Sequence, residues 1–304
     1  MNDPPASNQL VRFRLDFRSA GGHVMAQDGT QAIHEWTSWL RVRSDERVAE
    51  LVLTRHNGDM VERPVGRFRQ TLDDAGLLAL QQAIVATKWA ELPEPQIGDP
   101  TANWLTFEYV AGETVIRREF SASAQAFMTA ISPLLLVLNA AMSAPLAGPL
   151  AAIAVVAEAA RAKPGKPVIL TMRLRNLGTE PVVITDPRVP ASGDAGPRAR
   201  LLVAAKPGEM HMPSWTAIDL DPLPAGSPEV RVLEAGGELE LATSWTPTLK
   251  GACLLQAVWQ DYAGPIRAAP DQLGFFPLPE AGPSAAGPYP VRGAAFSSYA
   301  SFDA

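Results

Sequence analysis

The sequence predicts an α+β domain, an antiparallel sheet with two helices, followed by an all-β sandwich. Three observations lead there. Apolar and polar residues alternate with period two in both halves, as in half-buried strands. Apolar residues at helical spacing are concentrated in the first half. The 28 Pro and 23 Gly among 304 residues favour many short strands and loops over long helices, and this length suits roughly two domains.

In residues 1–142, Val11, Phe13, Leu15 and Phe17 alternate with Arg12, Arg14, Asp16 and Arg18 and predict a first strand. A second is expected near Ile33 to Val42. Val48 to Thr54 and Val61 to Phe68 flank His56-Asn57-Gly58-Asp59, and Asn-Gly between two such runs favours a two-residue hairpin turn because both positions tolerate positive φ. Thr71 is placed to cap a helix reaching about Glu91, with Asp73 and Asp74 near its positive end and Leu77, Leu80, Ile84, Val85 and Trp89 on the buried side. Leu92-Pro93 ends it. Trp104 to Val110 and Glu113 to Phe120 form a strand pair around Ala111-Gly112, and a closing helix from about Ser123 to Met142, kinked at Pro133, covers the sheet.

Residues 143–149 read as a linker. Beyond it, short strands are expected near 150–157, 166–175, 181–186, 198–204, 214–219, 229–233, 238–245 and 252–260, with Pro/Gly loops between them. Val168, Leu170, Met172 and Leu174 face one way and Ile169, Thr171, Arg173 and Arg175 the other. Asn176-Leu177-Gly178 then supplies turn chemistry, and Pro181-Val182-Val183-Ile184 starts the next strand. Thr246-Pro247-Thr248-Leu249-Lys250-Gly251, followed by Leu254, Gln256, Val258 and Gln260, resembles the penultimate turn and strand of bacterial immunoglobulin-like domains. The resemblance covers 150–263 and implies an immunoglobulin-like sandwich, a fold that hosts many functions.

The first half carries its own resemblance. Gly21-Gly22 follows the first strand, and Leu72-Asp73, Leu77, Leu80, Trp89 and Leu92-Pro93 precede a hairpin and an apolar helix. That order is similar to the small α+β domains of emfourin-type bacterial protease inhibitors. It implies protease inhibition as one function and transfers no functional residue.

Composition narrows the classes. A net charge of −6 opposes a general binder of phosphate backbones, which concentrates Lys and Arg. The opening Met1-Asn2-Asp3-Pro4-Pro5 lacks the basic and apolar regions of a secretory signal, no Asn-x-Ser/Thr sequon occurs, and the single Cys253 forms no internal disulfide. A cytoplasmic protein is expected. Phe120 to Ala157 carries no charge, but Pro133, Pro145 and Pro149 divide it into pieces too short to span a bilayer as one helix.

Motifs for chemistry are sparse. His23, His34, His56 and His211 show no helical metal spacing, Asp219 and Asp221 lie beside Pro222 and Pro224 in a loop, and Cys253 sits in an apolar strand as a small core residue. No cofactor and no metal are expected. Arg12, Arg14, Arg18, Arg41, Arg43, Arg67 and Arg69 can line one face of the first sheet, either as a mixed solvated surface with Asp16, Asp45, Glu46 and Glu50 or as a surface for an acidic protein partner.

Residues 264–304 are rich in Pro, Gly, Ala and Ser and are expected to be a largely irregular tail. Its Tyr289, Phe296, Tyr299 and Phe302 either dock in a partner's groove or pack back on the domain as an extra strand. With His211, Met212 and Trp215 they form the expected partner-binding set. The function expected is a non-enzymatic protein-binding or adaptor module, its partner another protein such as a protease. The alternatives are an intracellular protease inhibitor and a hydrolase or metal enzyme using His211, Asp219 or His34 between the domains. Neither nucleic acid nor a membrane span is expected, and oligomeric state is not readable.

Overall fold

The structure is a computed structural model and describes residues 9–21, 24–25, 31–32, 36–53, 64–89, 92, 104–121, 129–143, 147–160, 166–190, 198–206, 213–248, 251–261, 288–291 and 293–303. They show a mainly β protein with two helices and several antiparallel sheets. They divide into two compact units, one within 1–22, 35–53 and 67–149, the other within 23–34, 54–66 and 150–304.

In the first unit, β1 (Arg14–Gly21), β4 (Trp36–Arg43), β5 (Val48–Leu53), β6 (Val65–Thr71), β7 (Trp104–Ala111) and β8 (Thr114–Ser121) lie in the order β6-β5-β4-β1-β7-β8. Two-residue strands β2 (Val24–Met25) and β3 (Gln31–Ala32) pair with each other in the second unit. The β7–β8 turn passes through Gly112 at φ +57, as Ala111-Gly112 led us to expect. The Asn57-Gly58 turn lies outside the described residues.

Helix α1 (Asp74–Ala86) differs from its expected start. Asp73, not Thr71, is the N-cap, accepting a hydrogen bond from Gly76 N at 2.8 Å. Aspartate caps as well as threonine, and Thr71 is still engaged as the last residue of β6. Leu77, Leu80 and Ile84 are buried as expected, while Gln81 is buried and Val85 only partly so. Gln81 accepts from Val11 N at 2.8 Å and donates to Gln9 O at 2.9 Å, so its burial leaves its amide satisfied. The second helix, α2 (Ser132–Ser143), holds Pro133 in its first turn, where a missing N–H costs nothing, rather than at a mid-helix kink. Leu134 and Leu138 join α1 side chains over Leu15, Phe17, Leu40, Val42, Phe107, Tyr109 and Ile116. One face of the sheet is therefore covered.

In the second unit, β9 (Pro149–Ala159), β10 (Val168–Asn176) and β15 (Glu238–Trp245) form antiparallel pairs in the order β15-β10-β9. β11 (Val182–Thr185) lies between β14 (Val230–Leu233) and β17 (Tyr289–Pro290). β12 (Ala199–Ala205) joins β13 (Thr216–Ile218) to β16 (Ala252–Asp261), and β16 also pairs with β18 (Gly293–Phe296) and β19 (Ala300–Asp303). One core draws on all three sheets through Ile153, Leu170, Trp245, Ile184, Leu201, Leu255 and Trp259. The expected alternation on β10 holds: Val168, Leu170, Met172 and Leu174 are buried, and Arg173 turns outward to Glu158, Glu238 and Glu240.

The turn after β10 is built on Asn176. Its buried amide donates to Glu180 O, Leu233 O and Glu234 O at 2.8, 3.1 and 3.0 Å, and its Oδ1 accepts from Gly178 N at 2.9 Å. Gly178 is required sterically, because a Cβ there would fall 2.4 Å from Leu150 O and 2.7 Å from Ala151 Cα.

The expectation of a largely irregular tail does not hold for residues 289–303. Three strands of two to four residues are held there by pairing with β11 and β16. Ser297 reinforces this: its Oγ accepts from Ala257 N at 2.8 Å, and its carbonyl accepts from Gln256 Nε2 at 3.2 Å.

Candidate functional site

Strand alternation that buries Leu15, Phe17, Leu40 and Val42 must send Arg14, Asp16, Arg18, Trp39, Arg41 and Arg43 to the opposite face. The β1–β4 register then sets Asp16 opposite Arg41, Arg14 opposite Arg43 and Arg18 opposite Trp39. The β1–β7 register brings Glu108 opposite Asp16. Arg14, Asp16, Arg18, Arg41, Arg43 and Glu108 line an open groove of about 510 Å³ on this face.

Trp39 is the centre of the arrangement. It is only 6% exposed, although it stands on the open face, because arginines cover it: Cζ of Arg18 lies 4.5 Å and Cζ of Arg41 4.2 Å from its ring centroid. Such contacts contribute about 0.5–1 kcal/mol each near a surface. Its Nε1 donates to Asp16 Oδ1 at 2.9 Å, and Arg41 Nε donates to the same oxygen at 3.1 Å. Asp16 therefore fixes the indole and neutralises Arg41 in one step.

Around this centre the charges are graded. Glu108 accepts from Arg14 at 3.0 Å and from Arg117 at 3.2 Å; Arg43 pairs with Glu46 at 2.9 Å; Arg69 reaches Glu50 at 4.0 Å. Arg12 pairs with Asp45 at the exposed margin. Among the described strand side chains of this face, Arg14, Arg18, Arg41, Arg43, Arg67, Arg69 and Arg117 stand against Asp16, Glu50 and Glu108. Among these described side chains seven cations stand against three anions, on a chain that as a whole carries −6.

Of the residues expected to bind a partner, the described ones are placed as follows. Tyr289 and Phe302 pack against the second unit's core, with Phe302 edge-on to Trp245 at 6.0 Å. Tyr299 packs on Trp215 at 5.3 Å, in a cluster with Leu202 and Ala204 on the other side of β12. Phe296 is half-buried in β18 opposite Val258. His211, Met212 and His34 lie outside the described residues. Asp219 is exposed, and Asp221 accepts from Thr243 Oγ1 at 3.3 Å.

Cys253 is fully buried in β16, where burial, then the charge of Asp303, pushes its thiol upward; this is the reverse of what a nucleophile needs. Asp186, also fully buried, accepts from Arg188 and Arg231. Burial alone would raise its carboxyl, but these hydrogen bonds outweigh burial and hold it below the ordinary carboxylate range. Asp261 accepts hydrogen bonds from Thr185 N and Arg198. Both carboxylates serve the packing of β11 and β16. Among the described residues, no group of three or more His, Cys, Asp or Glu is placed to hold a metal ion, and no helix is long and apolar enough to cross a membrane.

Sequence reasoning named most of these arginines but missed Trp39 and Glu108. The signal was available only as strand alternation on Trp39, Arg41 and Arg43, since the β1–β4 and β1–β7 registers are long-range facts. No protein-family model and no curated protein matches the chain.

Proposed function

We propose that this protein is a binding module whose arginine-bearing first-unit sheet face receives an acidic segment of another protein. The observation that carries the reading is the excess of arginine on that one face of an acidic chain. Charge of one sign gathered over a groove raises the local concentration of the opposite charge and speeds its capture. Asp16, Glu50 and Glu108 are set among the arginines, so the positive potential is discrete rather than a continuous stripe. This favours spaced carboxylates over the close-packed phosphates of nucleic acid.

The second unit is read as an immunoglobulin-like sandwich that serves as scaffold. Eight strands near the expected positions, joined in antiparallel pairs around one core, support that reading. The tail aromatics help to build this unit, so recognition is assigned to the arginine face instead.

The test is a pull-down with the full chain and with a double variant, Arg18→Glu/Arg41→Glu, followed by identification of captured proteins. The reading expects acidic segments in the proteins lost with the variant. Partners retained equally by both would overturn it. A protease among the captured proteins, inhibited on titration with the full chain, would make inhibition the form this binding takes.

A further inference from the structure

We propose that Arg18 is the residue that receives an incoming carboxylate, and that Trp39 and Asp16 hold it ready to do so; this rests on the acidic-partner reading and specifies its anchor. Arg14, Arg41, Arg43, Arg69 and Arg117 each have a carboxylate partner, at 3.0, 3.1, 2.9, 4.0 and 3.2 Å. Arg18 differs. Among the described residues its contact is the Trp39 ring, and its cross-strand neighbours are Trp39 and Thr106 rather than acids.

A guanidinium over an indole engages through its π face, whereas its five N–H donors lie in its plane. The contact with Trp39 therefore limits the side chain's freedom and leaves the fork open for a two-point bond to a carboxylate. Less rotamer entropy remains to be lost on binding than for a freely moving arginine. Asp16 completes the device. Its bond to Trp39 Nε1 sets the indole's place, and its bond to Arg41 leaves Arg18 as the cation in the groove that lacks a carboxylate partner among the described residues. Asp16 and Trp39 are positioning residues, and Arg18 touches the ligand. The occupant is an extended peptide segment with spaced Asp or Glu side chains, one of them seated on Arg18 and its neighbours near the other arginines of the face.

The experiment uses the full 304-residue chain. Arginine Nε–H resonances are followed by NMR during titration with acetate at constant ionic strength. In parallel, a fluorescein-labelled peptide of alternating Glu and Ser is titrated by anisotropy with the wild type, Arg18→Gln, Arg18→Lys and Arg117→Gln, each first shown to melt like the wild type. The inference expects the Arg18 resonance to shift more than that of Arg117 with acetate. It expects roughly tenfold weaker peptide binding for Arg18→Gln, most of that loss also for Arg18→Lys, which keeps the charge but not the fork, and a loss of under about threefold for Arg117→Gln.

Equal binding by Arg18→Lys and wild type, or equal losses for Arg18→Gln and Arg117→Gln, would overturn the anchor while leaving the acidic-partner reading in place. An Arg18 shift with acetate and no binding of the peptide would overturn the peptide occupant and that reading together, leaving Arg18 as an anion receiver only. Tighter binding of a single-stranded oligonucleotide of equal charge would also overturn the peptide occupant.

Discussion

Replacing Asn176 should destabilise the second unit in a manner set by its four hydrogen bonds. The side chain is 1% exposed and ties the turn after β10 to the turn between β14 and β15, through Glu180, Leu233 and Glu234 on one side and Gly178 N on the other. Asn176→Ala removes all four. The bonds to Leu233 O and from Gly178 N are buried, whereas water can partly replace those to Glu180 O and Glu234 O. At about 1 kcal/mol for each buried bond and about half that for each of the other two, the loss is about 3 kcal/mol. That corresponds to a fall of about 10 °C in Tm for a unit of this size. Asn176→Asp keeps the shape but turns a carboxylate toward three carbonyl oxygens, so it should cost more than alanine at neutral pH. Folding raises the pKa of this carboxyl, so its penalty grows as pH rises through the unfolded value near 4 and shrinks as pH falls. Urea unfolding followed by tryptophan fluorescence, which Trp215, Trp245 and Trp259 report for this unit, measures both variants. An alanine cost under about 1 kcal/mol, or an aspartate variant as stable as the wild type, would refute the assignment of Asn176 as the clamp.

Two further outcomes concern the second unit. Its stability should fall in acid as Asp186 protonates: the folded pKa is depressed, so this contribution is present above the unfolded value of about 3.9 and is lost as pH drops below it. Asp186→Ala should remove that part of the pH dependence and cost about 3 kcal/mol at neutral pH, which is the low end for a broken buried pair because Arg188 and Arg231 remain partly hydrated; unfolding curves taken across the acid range check both. Ending the chain at Gly287 should uncover β16 and remove the buried Val291, Ala295 and Ser297, lowering stability by about 4 kcal/mol and opening the second unit to limited proteolysis.

Much of the strand framework was legible because it is local. Alternation along Val11 to Arg18 and Val168 to Arg175 marks strands without knowledge of their partners, and Ala111-Gly112 marks its turn. What depends on distant partners was not legible. The tail strands β17 to β19 are two to four residues long and owe their conformation to β11 and β16. Asp186 meets Arg231 45 residues away, and Gln81 meets Val11 70 residues away. The helix start was displaced by two residues because Thr71 and Asp73 are both competent caps, and only the extent of β6 decides between them. The candidate site was half legible: the arginines could be named, but Trp39 as their platform and Asp16 as its anchor emerge only when β1 and β4 are in register.

The central claim is that the arginine face recognises spaced carboxylates, and the most direct measurement is the affinity of the full chain for the Glu/Ser peptide against a Gln/Ser peptide, as a function of salt. The account predicts binding of the Glu/Ser peptide alone at about 50 mM salt, weakening steeply toward about 500 mM as the charges are screened. Equal affinity for the two peptides, or binding indifferent to salt, would contradict it.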